Sequence, residues 1–187
     1  MSEARALLRR QGTTRGGRSW LIRPTRPDED GPELVAIRDQ IAAEGELLAA
    51  VPGERSVLEE SLALANLVAG GGLALTVEVE GRVAGQLMVE RRRGPYEQHR
   101  GDLSIAIRAG CRGEGLGREL MRTAIDWARA VHLAKLTLGV FPGNQPALAL
   151  YRAMGFVEEG RLRGHLRLAG GDRDLVLMGL QLDTPAS

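Results

Sequence analysis

The chain has 187 residues, 43% of them hydrophobic, with a net charge of +1 and one cysteine. That length suits one compact core, the apolar runs break well short of the ~20 residues a membrane helix needs, and the near-neutral charge argues against a nucleic-acid partner recruited by a general basic field. Cys111 alone allows no internal disulfide and no cysteine-rich metal centre, which fits a reducing cytoplasm and a protein without metal.

Residues 1–19 hold five arginines and no apolar block resembling a signal-peptide core. They read as a flexible tail, and the folded domain is expected over 20–183. "WLIRP" from Trp20 reads as a strand, and "DGPELVAIRDQIAAEG" as a helix with Pro32 near its first turn and Leu34, Ile37 and Ile41 on one face. Ser56 followed by Glu59 is a capping box that opens a second helix, ended by the glycines at 70–72. The period then changes to two: Leu75, Val77 and Val79 alternate with polar residues, "EGR" turns the chain, and Val83, Leu87 and Val89 continue on a partner strand. A polar loop leads to a strand carrying Leu103, Ile105 and Ile107, after which comes "RGEGLG". Leu120, Ala124, Trp127, Ala128 and Val131 form the apolar stripe of an amphipathic helix. "KLTLGV" is the next strand, "PGNQP" opens a helix "ALALYRAM" that Gly155 ends, and two strands about 156–168 and 174–182 close the chain. The expectation is a single-domain α/β (α+β) fold, βααβββαβαββ: a mixed, mainly antiparallel sheet of about seven strands with four helices on its two faces.

A glycine turn between a strand end and a helix start gathers backbone N–H groups at the positive end of a helix dipole, a site suited to phosphate. Three phosphate-binding patterns compete for this turn. The P-loop pattern fails because no lysine or hydroxyl follows Gly117. The dinucleotide fingerprint fails because counting from Gly113 or Gly115 lands on Arg118 or Leu120, and no acidic residue closes the next strand. What remains is R-x-x-G-x-G, fitted by Arg112, Gly115 and Gly117.

With that loop, and with "LGVFPGNQPALALYRAMGFVEEGRLR" downstream, the sequence resembles the GNAT superfamily of acetyl-CoA-dependent N-acetyltransferases from about Trp20 to Leu182. "LYRAMGF", "EEG" and "DLVLMGL" are similar to members that acetylate protein N-termini, amino acids or small amines. The resemblance implies that Ile105, Ala106 and Ile107 splay from "KLTLGV" and hydrogen-bond the pantetheine arm. It implies too that Arg112, Gly113, Glu114, Gly115, Leu116, Gly117 and Arg118 take the pyrophosphate, that Asn144 and Ala147 face the CoA arm, and that Tyr151 protonates the departing thiolate. Asn144 also suits a helix N-cap, and Tyr151 also suits a core tyrosine with its hydroxyl at the edge.

The implied reaction is direct attack of an amine on the thioester, with a strand amide near Ile107 as oxyanion donor. For the base, Glu78, Glu90, His99, Asp102 and a water chain stay open, since the central strand "DLSIAIR" offers only Asp102. Cys111 could carry an acetyl group but has no histidine nearby in sequence, which disfavours that route. His165, Asp174 and Glu46 are candidates for the border of the acceptor pocket. The expected partner is an amine-bearing small molecule or peptide, a homodimer being allowed but not signalled. The alternatives are a catalytically silent acyl-CoA-binding module and, less supported, a nucleic-acid binder using Arg91, Arg92 and Arg93.

Overall fold

The computed structural model describes residues 7–45, 47, 50–168 and 170–182. In chain order these form β1 (Arg10–Thr13), β2 (Ser19–Pro24), α1 (Pro27–Ala43), α2 (Val57–Ala69), β3 (Leu73–Val79), β4 (Arg82–Arg91), β5 (Arg100–Ile107), a 3-10 turn (Ala109–Cys111), α3 (Leu116–Ala130), β6 (Lys135–Val140), α4 (Gln145–Ala153), β7 (Val157–Leu168) and β8 (Gly171–Gln181). One eight-stranded sheet has the order β1-β2-β3-β4-β5-β6-β8-β7. All its neighbours are antiparallel except β5 and β6. From β2 onward this is the order expected from the sequence. No helix among the described residues is long and apolar enough to cross a membrane, and no metal-binding cluster of His, Cys, Asp and Glu occurs among them.

Two expectations change. Residues 10–13 are not a loose tail but a strand paired with β2 from Arg10↔Ile22 to Thr13↔Ser19, which makes eight strands rather than seven. Its side chains are largely exposed, so no apolar alternation announces it; a backbone ladder and an Arg10–Asp126 ion pair of 2.5 Å to α3 hold it instead. Helix α1 starts at Pro27, whose ring is pre-set for a first helical turn, and Pro32 lies inside the helix. Elsewhere the local chemistry is as read. Ser56 and Glu59 form the capping box. Glu80 and Gly81, with φ of 51° and 76°, make the two-residue turn between β3 and β4.

Helices α3 and α4 pack on one face of the sheet. There Leu116, Leu120, Met121, Ala124 and Trp127 meet Leu75, Val77, Leu87 and Val89 in the main core. Helices α1 and α2 cover the other face with a smaller cluster of Leu34, Leu64 and Ala74. With both faces covered, β3 is almost wholly buried, and its Thr76 needs a polar partner. It finds one in Asp30 of α1, whose carboxylate accepts from Thr76 Oγ1 at 2.9 Å, from the Arg26 amide at 2.8 Å and from both Arg23 Nη atoms at 2.7 Å. Arg23 also donates to Glu78, its Nε lying 2.7 Å from Oε1. This network fastens α1 to β2 and β3. Burial is the largest influence on the Asp30 carboxyl and pushes it up, but the hydrogen bonds from Arg23, Arg26 and Thr76 together bring it below its ordinary value of 3.8.

A buried pair that loses one partner leaves an uncompensated charge. Asp30→Ala should therefore cost about 3–5 kcal/mol of folding stability by urea titration. A depressed carboxyl contributes stability that is present above its unfolded pKa and is lost as pH falls through the folded one. Asp30→Asn should accordingly flatten the loss of wild-type stability below the ordinary carboxylate range; an unchanged acid limb would assign that loss to other groups.

Candidate active site

The sheet separates at one point. β5 and β6 pair only at Arg100↔Lys135, Gly101↔Leu136 and Asp102↔Thr137. Beyond Asp102, β5 stays with β4 as far as Ile107↔Gly85, while β6 follows β8 as far as Val140↔Val176. A wedge opens between them. The Arg108 amide donates to Ala84 of β4, and because N–H direction alternates along a strand, Ile105 and Ile107 turn their peptide groups toward the wedge. The Ile107 carbonyl is taken by Arg112 Nε at 2.7 Å.

The wedge continues into a cavity of about 860 Å³, within the range of small-molecule and cofactor sites. Ile105, Ala106 and Ile107 line it, as do Arg112, Gly113, Gly115, Leu116, Gly117 and Arg118 of the glycine loop and Asn144, Ala147 and Tyr151 of α4 and its entry. These are the residues expected from the sequence, with one exception. The Glu114 carboxylate turns away and accepts from the Gly16 amide at 2.8 Å and from Arg18 Nη2 at 3.3 Å. Arg15, Ile41, Leu47, Phe141, Leu166 and Leu175 also line the cavity without having been singled out for it. Ile41 was visible only as the buried face of a helix, and the others carried no periodic signal of their own.

The two loop glycines do different things. Gly115 is the N-cap of α3 with φ of 90°, and a Cβ built there meets nothing within 4 Å, so its face is open to a ligand. A Cβ on Gly117 would instead lie 2.9 Å from Leu150 Cδ2. Its absence lets α3 approach α4. Arg112, the motif's arginine, is bound through Nη1 and Nη2 to Glu44 at 2.6 and 2.9 Å. Its guanidinium holds the Glu44 carboxyl below the ordinary range. Asn144 Oδ1 accepts from the Ala147 amide at 3.2 Å and caps α4.

Tyr151 is 6% exposed, its ring 6.1 Å from that of Phe156. Burial pushes its phenol up to about 12. The group stays protonated through the neutral range, and its hydroxyl has no hydrogen-bond partner among the described residues.

The candidate bases lie elsewhere. Glu78 of β3 is ion-paired with Arg23 of β2, and β4 lies between it and β5. Glu90 and His99 are exposed. Asp102, at the point where the strands part, accepts from Thr137 Oγ1 at 2.5 Å and pairs with Arg100 at 2.9 Å and with Arg92. Asp174 braces the last hairpin through Arg161 and the Gly164 amide, both at 2.8 Å. His165 is exposed, and Glu46 lies outside the described residues. No Asp, Glu or His lines the cavity among the described residues, whereas three arginines do. Cys111 also lines it, buried, with Arg18 Nη1 4.0 Å from its sulfur.

A donor with a phosphorylated head and an amide-bearing arm fits this cleft from the glycine loop to the wedge. Residues 35–156, well over half of the chain, match the acetyltransferase (GNAT) family, and the chain belongs to it. An acetyltransferase of Bacillus subtilis is 31% identical over 111 residues, 59% of this chain and 68% of that one. The L-methionine sulfoximine/L-methionine sulfone acetyltransferase of Pseudomonas aeruginosa is 34% identical over 95 residues, 50% of this chain and 55% of that one. Among solved structures, a ribosomal-protein-alanine N-acetyltransferase from Brucella melitensis superposes with a TM-score of 0.79 at 31% identity, covering 86% of this chain and 99% of that one. The protein is thus an acetyltransferase of that family.

Gly115→Asp would project a carboxylate into the open space beside the loop amides. CoA affinity measured by calorimetry should fall at least about tenfold, the order expected when a charge-assisted contact is replaced by repulsion. Affinity equal to wild type would remove the loop from the phosphate site.

Proposed function

We propose that the protein acetylates the amine of a small molecule, an amino acid or a peptide N-terminus by direct transfer within a ternary complex. The observation that carries this reading is the open edge of β5 beside the glycine loop. It offers unpaired peptide groups to an extended amide-bearing arm at one end and helix-dipole amides to its phosphates at the other. Bound there, acetyl-CoA supplies an activated acyl thioester.

The chain's own residues do the rest. The loop amides of Gly113 to Gly117 bind the phosphates, and edge amides of β5 orient the arm. An N–H in the wedge is the oxyanion donor. Ile107 sits beside the phosphate loop through its bond to Arg112, so an edge amide farther back along β5 suits that role better than the amide of Ile107. As the amine nitrogen bonds the acyl carbon, the carbon–sulfur bond breaks and Tyr151 gives its proton to the leaving sulfur. The amine proton leaves through water, because the cavity wall carries no carboxylate or imidazole among the described residues. Beyond the wedge, Ile41, Leu47, Phe141, Leu166 and Leu175 give the acceptor side an apolar lining, which favours an amine with an apolar neighbour. The methionine derivatives in the Pseudomonas relative's name and the ribosomal-protein alanine in the Brucella protein's name bracket the acceptor class.

Free-thiol release from acetyl-CoA, followed over a panel of amines, amino acids and peptides with mass spectrometry of the product, tests the reading. CoA binding without turnover on any acceptor would instead identify a silent binding module. Tyr151→Phe should lower kcat by about 10²-fold, the lower part of the span for general acids, and leave the Kd for CoA unchanged. Full turnover would reduce Tyr151 to packing. Because burial raises the phenol to about 12, the wild-type rate should climb as the acceptor amine deprotonates and show no falling limb from Tyr151 until pH approaches that value. A falling limb near pH 8 that disappears in Tyr151→Phe would keep the acid role but contradict the upward shift of the phenol, and a limb that persists in Tyr151→Phe would belong to another group.

A further inference from the structure

The turn between β1 and β2 is docked onto the glycine loop. It closes on itself through Thr14 N–H to Arg18 O at 2.8 Å and Arg18 N–H to Thr14 Oγ1 at 3.1 Å. It then grips residues 110–114. The Arg15 amide donates to the Glu114 carbonyl at 3.3 Å, the Gly16 amide to the Glu114 carboxylate at 2.8 Å, and Arg18 Nη2 to the Gly110 carbonyl at 3.2 Å. The Gly16 amide, first among its partners, holds the Glu114 carboxyl below its ordinary range.

The charges around the loop are sorted by this docking. Arg112 is neutralised by Glu44, Arg18 by Glu114, Arg10 by Asp126 and Arg108 by Glu33. Arg15 and Arg118, both in the cavity wall, have no carboxylate partner among the described residues. Arg15 uses one donor, Nη1, on the Gly113 carbonyl at 3.4 Å, a long contact that leaves the rest of its guanidinium fork facing the loop. Two uncompensated cations in a wall without carboxylates suit a ligand with several phosphate charges.

We propose that the β1–β2 turn is a wall of the CoA site, and that Arg15, with Arg118, supplies to a CoA phosphate the guanidinium charge that Arg112, paired with Glu44, does not. The proposal rests on the reading that the glycine loop receives the CoA phosphates. Its chemistry is shared by the pyrophosphate and the ribose 3′-phosphate, and the two are told apart by ligand.

Calorimetric titration of the full chain with CoA and with dephospho-CoA, which lacks the 3′-phosphate, tests this on wild type, Arg15→Gln, Arg15→Lys and Gly115→Asp. Arg15→Gln should raise the Kd for CoA about tenfold, the worth of one charge-assisted hydrogen bond, with Arg15→Lys recovering part of the loss. It should also flatten the dependence of log Kd on log salt, and leave the Tm unchanged because the side chain makes only the one long contact. An equal loss for both ligands assigns Arg15 to the pyrophosphate; a loss confined to CoA assigns it to the 3′-phosphate. Either supports the proposal. Wild-type affinity in Arg15→Gln for both ligands, with Gly115→Asp impaired, rejects Arg15 and leaves the loop assignment standing. Wild-type protein that binds neither ligand overturns both.

Discussion

The site depends on how β6 divides its pairing. A strand has two edges, and β6 gives one to β8 along its whole length but the other to β5 at only three positions. Past Asp102 the two strands follow different neighbours, so peptide groups of β5 in the middle of an eight-stranded sheet remain without a strand partner on that side. Buried peptide groups left unpaired are costly, and a ligand that can pair with them relieves that cost. The wedge is therefore a consequence of sheet topology, and the helices and loops around it gain their functions from where it opens.

The electrostatics of the cleft follow from what surrounds the wedge. Carboxylates are abundant nearby, but each is paired with an arginine: Glu44 with Arg112, Glu114 with Arg18, Asp102 with Arg100 and Arg92. The wall that remains is apolar with cationic residues at the loop, the right balance for a ligand with a polyanionic head and a neutral arm. The acid placed at the reaction path is a buried phenol, and the same burial that raises Tyr151 keeps its proton in place through the neutral range until negative charge develops on the leaving sulfur. The motif's arginine is better described as a brace: it ties the Ile107 carbonyl at the end of β5 to Glu44 just beyond α1, and so joins the two sides of the cleft.

The opposite face of the sheet supplies rigidity. Asp30 accepts from Arg23, Arg26 and Thr76 and fixes the first turn of α1 against β2 and β3. That anchor sets the course of α1, whose far end brings Ile41 to the cavity and Glu44 to Arg112. The polar network and the cleft are thus the two ends of one helix.

Much of this was legible in the residues themselves. Period-two alternation at Leu75, Val77 and Val79, the Ser56–Glu59 box, Glu80–Gly81 and the αL glycine at 155 are local devices, and each formed the element it signals. The loop "RGEGLG" and the later asparagine and tyrosine point to the cofactor side because glycine conformation and helix capping act within a few residues. Contacts between distant segments had no such signal. That Glu44 would neutralise Arg112, that Gly117 would serve helix packing rather than phosphate approach, and that an exposed strand at 10–13 would carry Arg15 to the glycine loop depend on neighbours 68, 33 and 98 positions away along the chain. Sequence determined the elements and the chemical kind of site because those arise from local backbone geometry. Tertiary structure alone decided which charges were spent on each other and which were left for the ligand, because that depends on which side chains meet when the sheet closes.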